Sequence, residues 1–149
     1  MAITQGMCDS FKVQILSGQQ NLVSGSGTVY KLALYTSSAT LSNATAAYTT
    51  SNEVSSVGTN YTAGGNTLTV NVTPTSSGNV AYISFANTSW ANATITANGA
   101  LIYNSTAGKS NAAVAVLAFG GDKTSTDGTF AVNFPTADAT SAIIRLTAS

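Results

Sequence analysis

The sequence predicts an all-β fold, an antiparallel β-sandwich or jelly roll with a short N-terminal helix, on three observations. Apolar residues recur at every second position through most of the chain. Gly, Asn and Ser cluster between these short runs at regular spacing, and nothing after residue 18 carries a helical period. The 149 residues suit a single domain, 1–149, with residues 1–18 packed on it as a helical segment.

The elements follow in order. Ile3, Met7, Phe11 and Ile15 recur every four residues with Cys8 and Leu16 beside them, and Gly18 can end the turn, so a helix is expected over residues 4–17. Residues 29–36 then alternate Tyr30, Leu32 and Leu34 with Lys31 and Ala33, the period of a strand. Residues 39–65 are rich in Thr, Ser, Asn and Gly, with Tyr48, Val54, Val57 and Tyr61 as sparse anchors. They read as a long excursion over the sandwich with one helical turn near Glu53.

In residues 67–73, Leu68, Val70 and Val72 point one way, Thr67, Thr69, Asn71 and Thr73 the other, and Pro74 is expected to stop the strand. Residues 80–85 and 93–103 look like neighbouring strands, the second split at Asn98-Gly99 by a bulge or a tight bend. Residues 112–119 have no polar alternation, so both faces should be covered, in a central strand or by a subunit contact. Phe130, Val132 and Phe134 mark another strand, and residues 143–146 the last.

Composition restricts the chemistry. The chain has 44% hydrophobic residues, enough for a core, but only 7% charged, against roughly 25% in an ordinary domain. It has no histidine, one cysteine, and five basic residues balancing five acidic ones. General acid–base catalysis and metal binding draw on groups that are scarce here, so no enzyme and no cofactor is expected. The scattered charges do not form the basic track that a nucleic acid or an anionic membrane requires. A chain near zero net charge also lacks the self-repulsion that keeps small domains apart, which suits a molecule that works assembled.

The N-terminus has no basic or apolar targeting pattern, and residues 112–119 are too short an apolar run to span a bilayer, so the chain is expected to be made in the cytoplasm without an export address. Lone Cys8 reads as a small buried hydrophobe.

Candidate sites are few. Six Asn-x-Ser/Thr sequons are what an Asn-, Ser- and Thr-rich chain produces without glycosylation. Residues 120–128 place Asp122 and Asp127 among oxygen donors, vaguely like a calcium loop, but lack the closing bidentate acid and contain Lys123, so a polar hairpin competes with a weak calcium site. Trp90, set among Asn and Thr, could be an exposed sugar-stacking platform or a buried pin. No Gly-x-Ser-x-Gly elbow or phosphate-binding glycine loop is present.

The segments Tyr30-Lys31-Leu32-Ala33-Leu34-Tyr35-Thr36-Ser37-Ser38-Ala39-Thr40-Leu41, Asn52-Glu53-Val54, Tyr61-Thr62-Ala63-Gly64-Gly65 and Gly120-Gly121-Asp122-Lys123 resemble a group of small structural proteins of tailed bacteriophages. The resemblance extends from Met7 to Arg145 and is to capsid decoration, or cement, proteins. It implies a β-rich virion component that binds the major capsid protein lattice as a homo-oligomer, a trimer in preference to a dimer. A tail or fibre component with a host-surface or carbohydrate-binding role is the alternative. No catalytic residues come with it. The expected subunit or capsid contacts are Ile3, Met7, Phe11, Val114, Val116 and Leu117, with Trp90 as a possible glycan contact; the competing reading of the apolar residues is core.

Overall fold

The computed structural model describes residues 2–147. Two antiparallel sheets carry the fold: a larger one ordered β1-β7-β6-β2-β3 and a smaller one ordered β4-β5-β8. In chain order the elements are β1 (Gly6–Met7), α1 (Asp9–Leu16), β2 (Tyr30–Tyr35), β3 (Asn66–Leu68), β4 (Val70–Ser77), β5 (Val80–Phe85), β6 (Thr88–Asn104), β7 (Ala112–Val132) and β8 (Ile144–Thr147). The expected all-β architecture with one short N-terminal helix is present.

The helix is shorter than its stripe. Cys8 occupies the N-cap in extended conformation, so Ile3 and Met7 precede the helix: Ile3 bridges Leu41, and Met7 pairs with Ala115 of β7. Of the four stripe residues only Phe11 is fully buried. Its burial contributes about 2–3 kcal/mol and holds α1 against β7.

The run 67–73 divides between the two sheets at Thr69. Leu68 ends β3 beside Tyr30, and Val70 opens β4 beside Phe85. Pro74 does not stop the strand but lies inside β4. It is tolerated because β4 is a sheet edge and Thr73-Pro74 form a bulge opposite Ile83. Residues 80–85 and 93–103 are therefore not neighbours, since β5 belongs to the smaller sheet and β6 to the larger. The Tyr30 and Phe85 rings, 6.0 Å apart, join the two sheets in the core.

The apolar run 112–119 is a strand covered on both faces for most of its length, with residues Ala112 through Leu117 buried within this chain. Its partner β6 is continuous from Thr88 to Asn104. Ser110 and Asn111, both at positive φ, turn β6 into β7, and the Ala112 N–H closes the turn on the Lys109 carbonyl at 3.1 Å.

β6 runs through Gly99 unbroken, and the irregularity expected at Asn98-Gly99 is a bulge in its pairing with β7, between Ala97↔Lys123 and Gly99↔Ala118. A Cβ at Gly99 would approach the Leu117 carbonyl oxygen to 2.5 Å and Ile3 to 2.7 Å, so the glycine lets the N-terminal segment cross the ribbon.

Residues 39–65 form no helical turn at Glu53. They are strapped to the larger sheet by bridges Tyr35↔Glu53 and Ala47↔Ala112 and pinned by buried Ala39, Leu41, Val54 and Tyr61. The Val54 N–H donates to the Leu34 carbonyl at 2.9 Å, which aligns the strap with β2.

Candidate functional site

Two constructions stand out, one a cleft and the other a clamp. The cleft arises from the way β7 is bent. Ala97 pairs with Lys123 and Gly99 with Ala118, so one residue of β6, Asn98, faces four of β7, residues 119–122. Gly120 at φ 74° and Gly121 at φ 137° supply the backbone for this bulge, in a region costly for other residues. The Asn98 side-chain amide donates to Asp122 Oδ1 at 2.8 Å and ties the bulge down. A second bulge, residues 126–127 facing Thr94, has Asp127 at φ 45°.

These bends curl the ribbon until the Phe119 and Phe130 rings, eleven positions apart, lie 6.4 Å from each other. Inside the curl is an open cleft of about 400 Å³ lined by Phe119, Lys123, Thr124, Ser125 and residues 129–133. Phe130 meets Trp90 edge-on at 6.3 Å, and Trp90 in turn lies 5.5 Å from Tyr61. Of the polar groups lining the cleft, Ser125 Oγ donates to the Ala93 carbonyl and the Thr124 and Thr96 hydroxyls bond to each other. Among the described residues, the side chains of Lys123, Thr129 and Asn133 have no hydrogen-bond or ion-pair partner.

The clamp centres on Glu53. Its Oε2 accepts from the Tyr48 hydroxyl at 2.6 Å, and its Oε1 accepts from the Tyr61 hydroxyl at 2.6 Å and the Gly64 N–H at 2.7 Å. The Tyr61 oxygen also accepts the Leu34 N–H at 3.0 Å, while the Tyr103 hydroxyl donates to the Gly64 carbonyl at 2.6 Å and its ring stacks on Tyr48 at 4.5 Å. Burial, reinforced by the hydrogen bond to Glu53, raises the Tyr48 and Tyr61 phenols far above their usual range; burial pushes Tyr103 up to about 12. The carboxylate's acceptors are thus spent on the fold, holding the strap to β2 and β6.

The sequence candidates are placed as follows. Phe11, Val114 and Val116 are fully buried and Leu117 nearly so, which makes them core of this chain rather than surface for a lattice. Ile3 and Met7 are partly buried and pack against the same core. Trp90 is 4% exposed, so it is the pin and not an exposed stacking platform. Residues 120–128 belong to β7 and are not a loop, and among the described residues no three His, Cys, Asp or Glu side chains gather to hold a metal. No helix among them is long and apolar enough to cross a membrane.

Exposed apolar side chains collect elsewhere. Leu16 (89% exposed) and Val13 stand out from α1 and Val23 from the segment after it, while Leu146 lines a groove of about 180 Å³ with Ile15, Leu22 and Pro74.

The chain matches no family model, no curated protein and no solved structure.

Sequence reasoning did not foresee the cleft or the clamp. For the clamp a signal was present: Glu53 is the sole charged residue between Lys31 and Lys109, and a lone charge in such a stretch needs partners. For the cleft, the signal was Phe119 immediately before Gly-Gly.

Proposed function

We propose that this chain is a virion structural protein, a capsid decoration protein that binds and stabilises the major capsid protein lattice as a homo-oligomer, with a trimer favoured over a dimer. The observation that carries the reading is the character of the exposed surface. Most outward positions of the long ribbon, among them Ser89, Thr94, Thr96, Thr124 and Thr126, are uncharged, with Asp122, Lys123 and Asp127 of β7 the exposed exceptions, and Lys12–Asp9 at 2.9 Å is the one ion pair among the described residues. Such a surface makes contacts that salt does not screen. Symmetry then multiplies a modest interface into firm attachment.

With Phe11, Val114, Val116 and Leu117 enclosed in the core and Ile3 and Met7 partly buried against it, the docking face passes to exposed apolar side chains, Val13 and Leu16 on α1 and Leu146 in the groove that it lines with Ile15 and Leu22. The resemblance to phage decoration proteins supports the same reading.

The test uses purified chain and capsids that lack it. The chain should sediment with capsids in a saturable whole-number ratio, raise their resistance to heat, and lose binding when Leu16→Asp is introduced. A strictly monomeric chain with no capsid affinity at micromolar concentration contradicts the proposal.

A further inference from the structure

We propose that the cleft in the curl of β7 binds a carboxylate-bearing saccharide. The inference stands on the cleft alone and holds whether the chain sits on a head or a tail.

The cleft's size, about 400 Å³, lies within the range of roughly 300–1,000 Å³ in which small ligands are enclosed. Its lining combines two kinds of group that a sugar needs. Phe119, partly exposed, offers an aromatic face for the C–H face of a pyranose ring, backed by the largely buried Phe130 and Val132. With it stand short uncharged polar groups, Thr124, Ser125, Thr129 and Asn133, with the donor and acceptor mix that vicinal hydroxyls need.

Charge selects the class. Lys123 is the one charged side chain lining the cleft, and neither Asp122 nor Asp127 lines it. Asp122 accepts from the Asn98 amide, and among the described residues no ion pair joins it to Lys123. Lys123, Thr129 and Asn133 leave their hydrogen-bonding capacity unused within the described fold. One ammonium matches the single charge of a sugar carboxylate, whereas a phosphate monoester brings nearly two.

The architecture is built for this placement. Three extra residues in one strand, two of them glycines at positive φ, would serve no purpose in a plain hairpin. Here they swing Phe119 toward Phe130 and set Lys123 at the rim.

The experiment is an NMR titration of the ¹⁵N-labelled full chain with glucuronic acid and N-acetylneuraminic acid, with glucose and N-acetylglucosamine as neutral controls. Both acidic sugars should shift the amides of residues 119, 123–125 and 129–133 with millimolar affinity, and the neutral sugars should bind about tenfold more weakly. Lys123→Met, on an exposed side chain, should keep the fold and remove the preference for acids. Phe119→Ser should abolish binding of all four; should it fail to fold, Thr129→Val provides a second variant expected to weaken binding severalfold. Absence of shifts for both acids, shifts mapping to another surface, equal affinity for acidic and neutral sugars, or an unchanged acid preference in Lys123→Met each overturns the proposal.

Discussion

Replacing Glu53 with alanine should destabilise the protein by about 4 kcal/mol, because the carboxylate is the common acceptor for three donors. The Gly64 N–H and the Tyr61 hydroxyl are in buried residues and lose their acceptor outright, at about 1–3 kcal/mol each. Tyr48 is only partly buried, so water replaces its lost bond and its share is smaller, about 0.5 kcal/mol. The strap from Tyr48 to Gly64 would then be held by its apolar anchors and backbone bridges alone. For a domain of this size a loss of about 4 kcal/mol lowers Tm by roughly 8–16 °C.

Thermal and urea unfolding followed by tryptophan fluorescence measures this directly, since Trp90 packs 5.5 Å from Tyr61 and reports on the strap. Glu53→Gln, which keeps a neutral acceptor for two of the donors, should cost only about 1–2 kcal/mol. A change in Tm below about 3 °C for Glu53→Ala, or equal damage from Gln and Ala, refutes the clamp.

Other consequences are as direct. Gly65→Ala should prevent folding or leave the protein largely insoluble, because a Cβ there would lie 1.8 Å from the Leu32 carbonyl oxygen at a φ of 79°; a well-folded variant with near-native Tm counts against the packing of the strap on β2. Raised phenol pKa values mean that the folded state holds these protons more tightly than the unfolded chain, whose tyrosines titrate near 10. The stability they contribute is complete below about pH 10 and is lost as pH rises through 12, so Tm should fall steeply over that interval, and a flat profile to pH 12 contradicts the burial of the cluster. The Cys8 thiol, fully buried and pushed up to about 11 by burial and then by Asp9, should be inert to a thiol reagent in the native state and react once in urea; fast native labelling would place Cys8 outside the core.

Period two was legible in the sequence for single strands, including β2, which is buried on both faces from Leu32 to Tyr35. Residues 29–36 and 80–85 became β2 and β5 within a residue at each end, and the unbroken apolar run 112–119 opens a strand covered on both faces. What local pattern does not contain is the assignment of strands to sheets. The alternation through residues 67–73 is uninterrupted, yet Thr69 is where the chain leaves one sheet for the other, its carbonyl accepting from Ala86 at 2.9 Å. The helical stripe misled for a related reason, since Ile3 and Met7 are apolar because extended backbone places them on Gly99 and β7.

The cleft and the clamp were harder still, because each depends on residues far apart. Phe119 and Phe130 meet only after two bulges bend β7, and Glu53 gathers Tyr48, Tyr61 and Gly64 only when the strap folds back on β2. Polar residues 120–128 read as a loop because a long edge ribbon with Thr, Ser and Gly on both faces has the composition of one.

The most direct measurement of the central claim is electron cryomicroscopy of the assembled particle with this chain located in the density. Membership of a decoration lattice predicts copies at symmetry-repeated positions over the head, with α1 and Leu146 turned toward the major capsid protein. Heads without such density, or the chain confined to the tail, would contradict it.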